Sequence, residues 1–78
     1  MLQKIKEFES YLILEEKSKA TVMKYTHDVT AFVQWLDGQQ ISKAVVQEYK
    51  QLLESEYVPK SVNSVLSSLN SFFGWINH

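Results

Sequence analysis

Lysine side chains gather where a long helix is predicted to begin. The first group comprises Lys17, Lys19, Thr21 and Lys24. Backbone N–H groups in the first turn of a helix have no intrahelical acceptor and carry partial positive charge. Lysines around such groups favour an anion, and a phosphate fits both the charge and the hydrogen bonding. The group is therefore a candidate phosphate-binding site.

A second polar segment lies near the end of the chain. Opposite its apolar face it carries Ser61, Asn63, Ser64, Ser67, Ser68, Asn70 and Ser71. Exposed helix faces usually carry Glu, Lys, Gln or Arg, so this nearly uncharged face is unusual. Small hydrogen-bonding side chains can lie close against DNA backbone or base edges, or against another protein. A merely polar surface is the third interpretation.

Charges are placed against the helix dipoles. Lysines lie near predicted helix starts and glutamates near predicted helix ends: Lys17, Lys19, Lys43 and Lys60, and Glu15, Glu16, Glu54 and Glu56. Each such placement costs about 0.3–1 kcal/mol where the side chain is exposed. Two explanations stay open, namely local pairing such as Glu15 with Lys19 or Glu56 with Lys60, and a set of anion sites. The net charge of −1 argues against a general nucleic-acid binder. The hypothesis of anion sites therefore depends on where the lysines lie and not on the total charge.

Few side chains could catalyse a reaction or bind a metal. The sequence has no cysteine and no arginine. Tyr11, Tyr25 and Tyr49 fall in apolar stripes and are expected in the core with a solvated hydroxyl. His27 has no ligand three or four residues away. The sequence therefore predicts no catalytic residue, no metal site and no cofactor.

Two amphipathic helices are predicted in the first half of the chain. The first has an apolar stripe and ends before Lys17; the stripe comprises Leu2, Ile5, Phe8 and Leu12. The second is capped by Ser18 and continues to Leu36, with Gly38 as a left-handed stop. Its stripe comprises Val22, Tyr25, Val29, Phe32, Val33 and Leu36. The very short joint predicts a helical hairpin.

Two further helices are predicted in the second half. Ser42 is placed to cap the third helix, whose buried face is expected to comprise Val45, Tyr49, Leu52 and Leu53. The fourth runs from Pro59 to about Asn77, and Val58 before it offers no side-chain acceptor for a cap. Its apolar face comprises Val62, Val65, Leu66, Leu69, Phe72, Phe73 and Ile76.

The composition suits one small packed domain. The chain has 78 residues, of which 45% are hydrophobic and 13% aromatic. The sequence has one proline and two glycines, too few to form the many turns that connect strands, so helices are expected. No apolar run is long enough for a signal peptide or a membrane span, and the lack of cysteine suits a reducing compartment. We expect a soluble, cytoplasmic protein.

The order of these residues resembles the N-terminal core-binding domain, or SAM-like domain, of phage integrases and other tyrosine recombinases. The matching positions are Phe8, Tyr11 and Leu12; Lys17, Ser18, Thr21, Tyr25, Asp28, Val29, Phe32, Trp35 and Leu36; Ile41; and Ser61, Val62, Asn63, Leu66, Ser67, Leu69, Phe72 and Phe73. Each piece alone is weak, whereas the order, spacing and cap positions together form a signature that spans nearly the whole chain. The resemblance implies an all-α fold, a compact four-helix SAM-like bundle of two helical hairpins.

The resemblance also implies a function. Residues 1–78 would be a single core-binding domain that forms one half of a clamp around double-stranded DNA, and a catalytic domain absent from this chain would form the other half. Helices 2 and 4 would face the major groove, with their polar starts at the phosphates. Carried over position by position, with the lysines beside them, the expected DNA contacts are Lys17, Ser18, Lys19, Thr21, Lys24, Lys60, Ser61, Asn63, Ser64 and Ser67.

One departure from the family pattern weakens the expected affinity. Family members often have arginine where this chain has Ser64, Val65 and Asn70. Affinity for phosphates grows with the number neutralised, and arginine is the commonest reader of guanine. The expected task is to grip one recombination half-site and help sister subunits assemble during DNA integration or recombination, without catalysis by this chain. The alternative is a helical protein-interaction module that does not bind DNA.

Overall fold

The computed structural model describes residues 1–77 and consists of four α-helices. They are α1 (Leu2–Leu14), α2 (Lys19–Leu36), α3 (Lys43–Glu56) and α4 (Pro59–Ile76). No strand occurs in this part of the chain. The all-α prediction and the four predicted segments are confirmed, and His78 lies outside the described residues.

Local sequence determines where these helices begin and end. The Ser18 hydroxyl accepts from the Thr21 N–H at 3.2 Å, and the Ser42 hydroxyl accepts from the Val45 N–H at the same distance. Val58, the N-cap residue of α4, makes no side-chain hydrogen bond to the helix because its aliphatic side chain has no acceptor. The chain turns out of α2 through two left-handed residues, Asp37 with φ 49° and Gly38 with φ 86°. Glycine adopts such a φ without strain, and aspartate tolerates it better than most residues.

The helices form two hairpins that meet along α2 and α4. α1 packs against α2, α3 packs against α4, and the most extensive contact joins α2 to α4. Aromatic rings lock this arrangement through edge contacts, with Phe8 and Phe72 centroids 5.2 Å apart and Phe32 and Tyr49 centroids 5.0 Å apart. The buried apolar core comprises Ile5, Phe8, Leu12, Val22, Val29, Phe32, Leu36, Tyr49, Leu53, Val62, Leu69 and Phe72.

Some predicted core positions are wrong. Leu52 is 37% exposed because α3 buries a narrow stripe through Tyr49 and Leu53, and Leu52 lies a quarter-turn outside it. Ile76 is also exposed at the end of α4, and Tyr11 lies at the edge of the core. Ser68, expected on the exposed polar face of α4, is completely buried.

Candidate nucleic-acid interface

The start of α2 combines free backbone donors with positive charge. Ser18 caps the Thr21 N–H and also donates its hydroxyl hydrogen to Thr21 Oγ1 at 2.9 Å. The N–H groups of Lys19 and Ala20 have no backbone acceptor within the described residues. Lys17, Lys19 and Ser18 are exposed, and Thr21 is half-buried. An anion can therefore meet two N–H groups and two lysines at this end of the helix.

The start of α4 offers the same kind of donors without a cap. Pro59 has no N–H, and the N–H groups of Lys60 and Ser61 lack backbone acceptors in the described chain. The side chains of Lys60 and Ser61 are exposed. Because no side chain of this segment occupies the N-cap position as an acceptor, these donors are available to a bound group.

The fold brings these two helix starts to the same end of the molecule. Lys24 Nζ donates to the Ser64 carbonyl at 3.4 Å, Ser68 Oγ donates to Asp28 Oδ2 at 2.7 Å, and the rings of Phe32 and Phe73 lie 5.7 Å apart. These three contacts advance along α2 and α4 in the same direction. The N-terminal halves of α2 and α4 are therefore neighbours, although about 40 residues separate them in sequence. We call this region the paired helix starts, meaning the first two turns of α2 and of α4 with Lys17 and Ser18 before α2.

Lys24 lies at the junction of the paired helix starts. Its ammonium forms an ion pair with Asp28 at 2.5 Å, and its side chain is 44% exposed. Asp28 is only 8% exposed and Ser68 is completely buried, so the link from Lys24 through Asp28 to Ser68 is mostly inside the protein. Lys24 is thus held by its own helix and by α4.

The link from Lys24 through Asp28 to Ser68 is not among the contacts predicted from the sequence. Asp28 appeared only as one position of the family pattern, although its i+4 spacing from Lys24 marks a helical ion pair. Ser68 lies four residues before Phe72 and three after Val65, at the margin of the apolar stripe rather than opposite it. The positions of Val65 and Phe72 on the same side of the helix indicate that Ser68 is buried. Its partner on another helix could not be read from the sequence.

The alternative of local pairing at the helix starts is not supported. In residues 1–77, ion pairs within 4.0 Å join Lys24 to Asp28 and Lys4 to Glu7. Glu15 with Lys19 and Glu56 with Lys60, the two expected pairs, do not occur among them. The lysines at the paired helix starts other than Lys24 therefore have no carboxylate partner at this distance, which leaves their charge available to an anion.

The polar face of α4 divides into exposed and inward positions. Asn63, Ser67 and Asn70 are exposed, whereas Ser64 is half-buried at the edge that meets α2. The Ser64 carbonyl accepts from Lys24 and weakly from Ser68, both at 3.4 Å. Of the side chains expected to reach a base, Asn63 and Ser67 thus have open access, and Ser64 borders the junction.

A groove of about 270 Å³ lies where α2, α3 and α4 meet. Its lining includes His27, Asp28, Tyr49, Tyr57 and Ser61. Burial, with a smaller contribution from the nearby Asp28 carboxylate, raises the pKa of the Tyr49 hydroxyl above its ordinary value. A raised pKa is the opposite of what a tyrosine nucleophile needs.

Metal-binding clusters and membrane-spanning helices are absent from residues 1–77. No group of three or more His, Cys, Asp or Glu side chains is arranged to hold a metal ion there. Within the same residues, none of the helices has the length and apolar character needed to cross a membrane.

Comparison with known proteins identifies relatives of this chain. The family described as "Phage integrase, N-terminal SAM-like domain" matches residues 5–78. The chain is 33% identical over 69 residues to tyrosine recombinase XerA of Thermococcus kodakarensis (strain ATCC BAA-918 / JCM 12380 / KOD1). This match covers 88% of the chain and 24% of the relative, so the chain spans about a quarter of that protein's length. No solved structure gives a significant match.

Proposed function

The chain belongs to the family of phage integrase N-terminal SAM-like domains, and from this premise we propose that it binds double-stranded DNA through the paired helix starts. The observation that carries the proposal is the contact between α2 and α4, which brings two sets of free N–H groups and their lysines to one end of the fold. A DNA backbone that crosses this end of the fold can therefore contact both helix starts.

Contacts to the DNA backbone are assigned to the two helix starts. Lys17, Lys19 and Lys60 supply charge, and the hydroxyls of Thr21 and Ser61 can donate to phosphate oxygens beside the free N–H groups. Ser18 donates its hydroxyl hydrogen to Thr21 Oγ1, so it orients the Thr21 hydroxyl at this site. These contacts position the domain on a duplex of any sequence. Lys24, the fourth lysine expected at the DNA, lies at the junction of the two helices and is paired with Asp28.

Contacts to bases are assigned to α4. Asn63 and Ser67 are exposed one and two turns beyond the start of the helix, and Ser64 lies at its edge. In the major groove, asparagine can pair with adenine through two hydrogen bonds, and serine can pair with several base edges. Sequence preference therefore depends on this helix.

The larger protein is inferred from the family. We assign residues 1–78 to a non-catalytic core-binding domain, with strand cleavage carried out by a following domain of a tyrosine recombinase. The two domains would close around one recombination half-site in the cytoplasm, and sister subunits would assemble on the paired half-sites. Arginines required for that chemistry would come from the catalytic domain, because this chain has none.

Salt-dependent binding tests the proposal most simply. A labelled duplex is titrated with the 78-residue chain at several salt concentrations, by fluorescence anisotropy. Three or four neutralised phosphates predict weak binding with a slope of log affinity against log salt of about −3 to −4. Backbone amide NMR shifts should change at the paired helix starts. A flat salt dependence, or no shift change even at low salt, would favour the protein-interaction module.

Base reading by Asn63 has its own test in the full-length recombinase. Asn63→Ala should cost about 1–3 kcal/mol of binding on the half-site that the parent selects, and little on random duplex. Asn77→Ala, at the far end of α4, is the matched control and should leave both affinities unchanged. If a folded Asn63→Ala variant still separates the selected site from random DNA as well as the parent, α4 does not read the bases through this residue.

A further inference from the structure

A buried carboxylate lies directly behind the paired helix starts, in the third turn of α2. Asp28 accepts two hydrogen bonds on one oxygen, Oδ2, from Lys24 Nζ at 2.5 Å and from Ser68 Oγ at 2.7 Å. Lys24 Nζ also donates to the Ser64 carbonyl at 3.4 Å. The Lys24 ammonium therefore lies between a carboxylate on α2 and a carbonyl on α4.

This geometry changes what Lys24 can contribute to DNA binding. Its side chain is 44% exposed, so a phosphate could approach it from solvent. The Asp28 side chain, in contrast, is 11% exposed, and water screens its charge poorly. A lysine releases the cations condensed on DNA to the extent that it brings uncompensated positive charge. Lys24 and Asp28 together bring a net charge near zero.

The other lysines of the paired helix starts differ in this respect. Lys17, Lys19 and Lys60 have no carboxylate within 4.0 Å in the described chain. Their charge is uncompensated at short range. These three lysines can therefore neutralise phosphates, whereas the charge of Lys24 is already neutralised by Asp28.

We propose that Asp28 is a positioning residue of the DNA interface, which compensates the charge of Lys24 and makes that lysine a tie between α2 and α4. This inference rests on the proposed function. Lys24 fixes the spacing of the two helix starts, and Lys17, Lys19 and Lys60 supply the charge that the DNA backbone meets. Asp28 thereby limits the non-specific affinity of the domain.

The direct test removes the charge of Asp28 and keeps an acceptor. In Asp28→Asn the amide oxygen can still accept from Ser68, while Lys24 becomes uncompensated. The slope of log affinity against log salt should become steeper by about 0.9, the contribution of one more phosphate. A role limited to holding the fold predicts weaker binding with an unchanged or shallower slope.

Asp37→Asn is the matched control. It makes the same change of charge on an exposed residue at the other end of α2, where the left-handed backbone suits asparagine. Its slope should equal that of the parent chain. Equal steepening in both variants would show that only net charge matters, and would overturn the proposal.

A second variant keeps the proposal testable if Asp28→Asn does not fold. The double variant Lys24→Gln/Asp28→Asn removes both charges of the pair and leaves no unpaired buried carboxylate, so its slope should match that of the parent chain. A loss of about 0.9 from the slope would show that Lys24 neutralises a phosphate itself and would overturn the proposal. If the parent chain shows no salt-dependent binding, the proposed function fails first, and this inference fails with it.

Discussion

The starts of α2 and α3 carry the same local chemistry in different surroundings. In each, a serine caps the N–H three residues on, and an exposed lysine follows the serine: Ser18 with Lys19, and Ser42 with Lys43. The start of α2 adjoins the start of α4, whereas Lys43 borders a groove with Phe73, Ile76 and Asn77 at the end of α4. The N-terminus of α4 attracts anions and its C-terminus repels them. Tertiary packing therefore separates a candidate phosphate site from an ordinary helix start.

The largest expected effect is a loss of stability when the core packing that joins α2 to α3 and α4 is removed. Phe32 is completely buried between α2, α3 and α4, so Phe32→Ala should leave a cavity and cost about 2–5 kcal/mol of unfolding free energy. In a domain of this size that is a large part of the total. Thermal unfolding measures it, with Leu14→Ala, at an 81% exposed residue, as the control. A melting temperature within a degree or two of the parent would refute this helix arrangement.

A smaller loss is expected from the polar tie between α2 and α4. Ser68→Ala removes a buried hydrogen bond to a carboxylate and should cost about 1–3 kcal/mol of unfolding free energy. Ser67→Ala is the matched control, because Ser67 is the exposed neighbour and should change stability by less than about 0.5 kcal/mol. Equal losses in chemical denaturation would mean that the Ser68 bond to Asp28 does not hold the two hairpins together.

The two serine caps sharpen the comparison of helix starts. Ser18→Ala and Ser42→Ala should each lower stability by about 1 kcal/mol, because each removes the acceptor for one N–H. Only Ser18→Ala should also weaken duplex binding, since only its hydroxyl lies at the paired helix starts. Denaturation curves and anisotropy titrations of both variants provide the measurement. Equal weakening of DNA binding by the two would remove the distinction between α2 and α3.

Much of the fold was predictable because its determinants are local. Apolar residues at steps of three and four gave the four helices, and Ser18, Ser42 and Pro59 marked three of their starts within a residue. The central burial of Phe32 and Leu69 follows from the same periodicity. Such signals act within a turn or two of helix, so the sequence displays them directly.

The arrangement of the candidate site was less predictable. The sequence indicated which side chains could meet a phosphate, but Lys24 with Ser64, and Asp28 with Ser68, are contacts across 40 residues. No periodicity specifies them, and a serine among many serines on α4 gave little sign of a buried partner. Leu52 is the opposite case, because it is an apolar residue beside the buried stripe of α3 that was expected in the core and is exposed. Local pattern defines the elements, and packing defines the site.

The most direct test of the account replaces one lysine at each of the two compared starts. Lys19→Ala and Lys43→Ala remove the same charge from the same position of a serine-capped helix, so they differ only in location. Duplex titrations across a range of salt should give a slope about 0.9 shallower for Lys19→Ala and a slope equal to the parent for Lys43→Ala. Equal slopes for the two variants, with both folded, would contradict the claim that DNA phosphates bind at the paired starts of α2 and α4.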